Sequence, residues 1–169
     1  IQSLVKLSRM ESGIIAVHPE DTTIAQMFAS VQQQFNVKVR EKNITLSLCD
    51  TDLHVRCDSK WTVEALGNIV DNAIKYTACG GNVQIKVEQY SFFVKIDIID
   101  DGIGIEKEEI PKIFGRFYRS LSVADQPGVG IGLFLAREII QAQKGYIKVT
   151  SKRGKGSTFS VFLPIAKKE

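Results

Sequence analysis

The sequence predicts a two-layer α/β sandwich, a mixed or antiparallel sheet covered on one face by helices. Two observations carry this expectation. Helical and strand periodicities are interleaved along the 169 residues. Most neighbouring strand segments are joined by turns too short for a crossover helix, which argues against a doubly wound parallel sheet. The composition agrees, since 44% hydrophobic and 24% charged residues are globular values that exclude a disordered or fibrous chain. The length is enough to bury a core without staples.

The elements follow in order. Leu4, Leu7 and Met10 continue a helical repeat from Ile1, and Gly13 supplies a stop. Residues 14–21, with Pro19, read as extended chain. Thr23 and Gln26 have the spacing of a capping box. Behind them Ile24, Met27, Phe28, Val31 and Phe35 form the apolar stripe of a long helix. Segments 44–49 and 53–57 read as short strands around the polar turn Asp50-Thr51-Asp52. Asp58 or Ser59 caps a second long helix that reaches Thr77, before the break at Gly80-Gly81. Val83, Ile85 and Val87, then Val94, Ile96 and Ile98, alternate with mostly polar residues as the two strands of a hairpin. A short helix is expected at 110–117 and another at 131–143. Strands at 146–151 and 158–163, joined by Gly154-Lys155-Gly156, complete the chain.

A formal net charge of +3 argues against a nucleic-acid binder, which carries a denser basic face. No apolar run approaches bilayer-spanning length. Cys49, Cys57 and Cys79 are odd in number and form no CxxC pair, which fits a reducing compartment without structural zinc.

The second long helix carries the first chemical hint. At 100° per residue, Glu64, Asn68, Asp71, Asn72 and Lys75 share an arc of roughly 100°, opposite Leu66, Ile69, Val70 and Ala73. Such a stripe is usually a solvated face. Asparagine is a poor mid-helix residue, however, and two amides four residues apart suit a hard cation or phosphate oxygens. Three glycine loops follow, at 100–104, 128–133 and 154–158. Each alone would be a turn glycine needing positive φ. The middle loop has glycines at alternate positions after a polar loop, so it is not a Rossmann fingerprint. Residues 97–108 imitate a calcium loop, but Ile99 stands where an oxygen ligand is required.

The ordered set is more specific than its parts. Asn68-Ile69-Val70-Asp71-Asn72-Ala73-Ile74-Lys75-Tyr76-Thr77 resembles the N box of sensor histidine kinases. Asp100-Asp101-Gly102-Ile103-Gly104 resembles their DxGxG motif, and Phe114-Gly115-Arg116-Phe117-Tyr118-Arg119 their F box. Residues 128–133 and 154–158 resemble the second and third glycine boxes. Leu7-Ser8-Arg9-Met10-Glu11-Ser12-Gly13 is similar to the end of the dimerisation helix that precedes this domain. Ile131, where leucine is more usual, and Gly115, at a variable F-box position, are mild departures.

The resemblance implies the Bergerat-type ATP-binding fold, a mixed, mostly antiparallel sheet under three helices. It divides the chain into the end of a dimerisation/phosphotransfer helix (1–13), a linker with the first extended segment (14–22) and an ATP-binding catalytic domain (23–169). It implies that Asp100 accepts a hydrogen bond from the adenine amino group, with Gly102 and Gly104 allowing close approach. Asn72 would be the protein ligand of Mg²⁺, Lys75 a charge beside the phosphates, and Tyr76 a wall along the nucleotide. Gly128, Gly130, Gly132 and Leu133 would form the phosphate loop, Arg116 and Arg119 would reach phosphate, and Thr158 would hydrogen-bond near adenine. Asn68 stands where gyrase-like and chaperone ATPases carry a water-activating glutamate. An amide cannot take that proton, so the site holds ATP without spending it on water. Glu64, one turn earlier, stays open as a substitute base.

The family phosphorylates a histidine that sits on a helix. His18 precedes Pro19, and His54 lies in an expected strand, so neither fits. The chain opens on Ile1 without a start methionine, and the expectation is a fragment of a longer protein whose acceptor histidine lies upstream. The resemblance further implies phosphorelay to a response-regulator receiver domain, a monomeric fragment of a homodimeric parent, and a cytoplasmic domain; most such sensors are anchored in a membrane. Residues 120–127 correspond to the family's ATP lid. The alternatives are a nucleotide-binding pseudokinase and a gyrase- or chaperone-like ATPase.

Overall fold

In a computed structural model, the described residues are 4, 5, 8, 16–119 and 130–165. Strand β1 (Glu20–Thr23) leads directly into helix α1 (Ile24–Glu41). Strands β2 (Thr45–Leu48) and β3 (His54–Cys57) precede helix α2 (Ser59–Lys75), and the hairpin β4 (Asn82–Gln89) and β5 (Phe93–Asp100) follows. Helix α3 (Gly132–Ala142) precedes strands β6 (Tyr146–Lys152) and β7 (Gly156–Pro164). The main sheet has the order β2-β4-β5-β7-β6. Its β2–β4 pair is parallel, and the other three pairs are antiparallel.

Sheet and helices meet over the stripes that the sequence marks. Ile24, Met27, Phe28, Val31 and Phe35 of α1 are buried, as are Leu135, Ala136, Ile139 and Ile140 of α3. They close over Val83, Ile85, Val94, Ile96, Ile98, Phe159, Val161 and Leu163 on one sheet face. Each Val, Leu, Ile, Phe or Met among them contributes about 1.5–3 kcal/mol when fully buried. The alternation along β5 ends on Asp100, which is 7% exposed. A carboxylate therefore occupies the last inward position of a central strand.

Several local expectations are corrected. The segments at 44–49 and 53–57 are strands but do not pair with each other. β2 joins the main sheet beside β4, while β3 pairs antiparallel with β1 in a separate two-stranded sheet. Thr23 occupies the cap position of α1, but its side chain accepts no capping hydrogen bond, and its hydroxyl is buried without a partner among the described residues. Asp58 does cap α2, accepting from the Trp61 N–H at 3.1 Å. The helix expected at 110–117 is only a 3-10 turn over Ile110–Lys112. Pro111 suits that tight first turn, and Phe117 at φ 63° leaves the helical region altogether. The expected helix at 1–13 falls mostly outside the described residues, of which Leu4, Val5 and Ser8 are helical.

Candidate functional site

The C-terminal half of α2 faces two loops at once. At Asn68 the side-chain amide donates to the Gly132 carbonyl at 3.2 Å, joining α2 to the start of α3. A Cβ on Gly132 would sit 3.8 Å from that of Asn68, so the two elements are in contact there. One turn further, the half-buried Asn72 lies on the same stripe. Lys75 pairs with Asp71 at 3.1 Å, and Lys38 of α1 takes the other oxygen of Asp71 at 2.8 Å. Burial opposes ionisation of Asp71, yet the Lys38 hydrogen bond and the Lys75 charge prevail and hold its carboxyl below the ordinary carboxylate range. Burial pushes the Tyr76 hydroxyl up, with Arg119 opposing and Asp71 reinforcing the shift.

Asp100 ends β5, and the loop after it reaches the end of α2, where the Ile103 N–H donates to the Tyr76 carbonyl at 3.1 Å. Burial raises the Asp100 pKa, against backbone N–H donors from Gly102 and Ser157 that favour the charged form, and Asp101 adds a smaller repulsion. The Gly102 bond is 2.9 Å long. The loop after Asp100 is pressed against α2 and against the β6–β7 turn. A Cβ on Gly102 would lie 2.3 Å from the Tyr76 carbonyl oxygen, and one on Gly104 would lie 2.2 Å from the Lys152 carbonyl oxygen. Gly104 and Gly156 also have φ of 72° and 90°. The sequence reading gives Gly102 and Gly104 to the approach of a ligand; in the structure the protein's own backbone already demands them.

The F box and the second glycine box are packed together. A Cβ on Gly130 would lie 2.8 Å from the Tyr118 carbonyl oxygen. Phe114 is buried edge-to-face against Phe159, whereas Phe117 is 55% exposed. The Arg116 guanidinium lies 4.9 Å from the centre of the Phe134 ring. Leu133 packs partly against the core. Gly128 and the segment 120–127 lie outside the described residues.

Thr158 is a correction. Strand pairing sets Asp100 opposite Ser157 and Ile99 opposite Thr158. Side chains alternate between faces, so Thr158 points to the far side of the sheet, and Ser157 is the hydroxyl beside Asp100. The signal was present in the sequence. Counting inward positions back from Phe159 reaches Ser157, not Thr158. His54 is in β3 with its ring bonded to Asp21, and His18 is in extended chain, so neither lies on a helix.

The family described as histidine kinase-, DNA gyrase B-, and HSP90-like ATPase matches residues 57–167, which span α2, the Asp100 loop and the second and third glycine boxes. The chain belongs to this ATPase family. Among curated relatives it is 33% identical to the sensor histidine kinase WalK of Bacillus subtilis, over 97% of the chain and 28% of that protein. It is 30% identical to the sensor protein kinase PmrB of Pseudomonas aeruginosa, over 97% of the chain and 35% of that protein. The chain thus spans about a third of the length of these relatives. The solved structure of the mycobacterial sensor histidine kinase MprB is 25% identical, with a TM-score of 0.76, covering 88% of this chain and 98% of that one. Within the ATPase family, the chain is an ATP-binding catalytic domain of the sensor histidine kinase type. Its five-stranded mixed sheet and three helices form the expected α/β sandwich.

The donor set bears on which ions an ATPase domain of this kind could hold. Among the described residues no three His, Cys, Asp or Glu side chains converge on a metal site. Beside Asp71, whose oxygens Lys38 and Lys75 hold, the C-terminal half of α2 offers the amide oxygens of Asn68 and Asn72. That fits Mg²⁺, which keeps most of its waters and takes few protein ligands beside substrate phosphates. No helix among the described residues is long and apolar enough to cross a membrane.

Proposed function

We propose that this chain binds Mg-ATP between Asp100 and the polar stripe of α2 and transfers the γ-phosphoryl group to a histidine on a dimerisation domain of the same parent protein. From there the phosphoryl group would pass to a response-regulator receiver domain. The observation that carries the reading is Asp100, a buried carboxylate that closes a central strand and faces a loop of obligatory glycines. A carboxylate offers only acceptors, so it suits an exocyclic amino group. Tyr76 would lie along the nucleotide. Asn72 would hold Mg²⁺, which supplies charge neutralisation at the phosphate oxygens. Gly128, Gly130, Gly132 and Leu133 would present backbone N–H groups and the N-terminal dipole of α3 to the phosphates. Lys75 would exchange its Asp71 contact for phosphate, leaving Lys38 to hold Asp71, while Arg116 and Arg119 would close from the F box.

Asn68 cannot serve as a base, and its amide is committed to the Gly132 carbonyl. Catalysis is then positioning and charge stabilisation of an in-line transfer. The chain is expected to be a monomer that joins a homodimeric parent, and a dimeric mass in equilibrium sedimentation would contradict this. The functional test supplies γ-labelled ATP, the chain, and a separately produced dimerisation domain carrying its acceptor histidine. Acid-labile, base-stable label on that domain supports the reading. ATP bound without transfer would favour a pseudokinase. Hydrolysis by the chain alone, lost in Glu64→Ala, would favour a gyrase-like ATPase.

A further inference from the structure

Three polar side chains form a row across neighbouring strands. Asp100 of β5 pairs with Ser157 of β7, which pairs with Ser151 of β6, so all three occupy one face at the same level. The Ser151 hydroxyl is the hub of this row. It accepts from the Ile105 N–H at 2.8 Å, lies 3.0 Å from the Gly156 carbonyl oxygen, and lies 2.7 Å from the Ser157 hydroxyl. Ile105 closes the glycine loop that begins at Asp100, and Gly156 opens β7. One hydroxyl therefore ties together the two loops that flank Asp100.

Proton counting sets the direction of these bonds. A serine hydroxyl has one proton and two lone pairs. The Gly156 carbonyl can only accept, so it takes the proton of Ser151. The Ile105 N–H fills one lone pair of Ser151, and the Ser157 hydroxyl must donate into the other. Ser157 is then left with lone pairs only. On the Asp100 side, the Gly102 and Ser157 N–H groups both point at the carboxylate and are spent on it.

We infer that Ser151 is a positioning residue for base specificity: by fixing the proton of Ser157, it makes the Asp100–Ser157 edge accept hydrogen bonds only. The inference rests on the nucleotide reading above and adds to it the device that rejects the wrong base. An edge without donors receives the exocyclic amino group of an aminopurine. It repels an oxo-purine, whose carbonyl oxygen sits where the amino group would be. Without Ser151, the Ser157 hydroxyl can rotate and donate to that oxygen.

The test is calorimetric titration of the chain with a non-hydrolysable ATP analogue and with inosine triphosphate, both with Mg²⁺. The readout is the ratio of the two affinities, in the native chain and in Ser151→Ala, Ser151→Thr and Ser151→Ala/Ser157→Ala. In Ser151→Ala the preference for the ATP analogue should fall about fivefold, the factor equivalent to one neutral hydrogen bond. Ser151→Thr, which keeps the hydroxyl, should restore the native ratio. The double variant should restore it too, because no donor remains to serve the oxo group. A native ratio in Ser151→Ala, with only a lower melting temperature, would make Ser151 a structural brace and overturn the inference. Failure of the native chain to bind the ATP analogue would overturn the nucleotide reading itself, and the specificity device with it.

Discussion

Asp100→Asn should weaken nucleotide binding and strengthen the fold at the same time. The side chain is 7% exposed, and burial raises its pKa despite the Gly102 and Ser157 N–H donors. The folded state thus binds this proton more tightly than the unfolded chain does. Its stabilising contribution is complete below the unfolded pKa, near 3.9, and is lost as pH rises through the higher folded value. An asparagine never ionises and escapes that loss. Urea unfolding curves of native and variant chains should converge at acidic pH and separate above this window, with the variant the more stable. For binding, a hydrogen bond to a charged acceptor contributes about 1.5–3 kcal/mol, so affinity for an ATP analogue should fall roughly tenfold to a hundredfold. A variant less stable than the native chain at neutral pH would refute the claim that burial dominates at Asp100. Unchanged affinity would refute its contact with the base.

Further predictions concern the scaffold. Gly80 and Gly156 have nearly equal φ, 83° and 90°, but only Gly156 is crowded: a Cβ would lie 2.0 Å from the Asp100 carbonyl oxygen, whereas nothing lies within 4 Å at Gly80. Gly80→Ala should cost about 1–2 kcal/mol from the left-handed backbone alone, and Gly156→Ala clearly more, as measured by urea denaturation. The buried Gln143 bonds the Thr62 hydroxyl, the Asp58 N–H and the Ile139 carbonyl. Gln143→Ala strands these partners and should cost about 2–3 kcal/mol without changing ligand affinity, since this network lies at the other end of α2 from Asn72. Leu135→Ala, at a fully buried position of α3, should cost about 2–5 kcal/mol in the same assay.

Most of the scaffold was legible because its signals are local. The stripe of α1 and the alternation of β4 and β5 each lie in one contiguous segment. Pairing of β2 and β3 was not legible, because their partners, β4 and β1, lie elsewhere in the chain and no turn between them sets a register. The capping box at Thr23 failed because β1 runs straight into α1 and turns that hydroxyl inward. At the site, the polar stripe and glycine loops were readable as spacing. What those glycines meet was not, since Tyr76, Lys152 and Asp100 approach them only in three dimensions. Ser151 carried no motif at all. Its importance comes from the β6–β7 register, which brings it beside Ser157.

The most direct test of the central claim is calorimetric titration of the native chain and Asn72→Ala with a non-hydrolysable ATP analogue, with and without Mg²⁺. The account predicts native binding that is strengthened by Mg²⁺ and an Asn72→Ala variant in which that Mg²⁺ dependence is lost. Absence of binding to the native chain, or binding indifferent to both Mg²⁺ and Asn72, would contradict it.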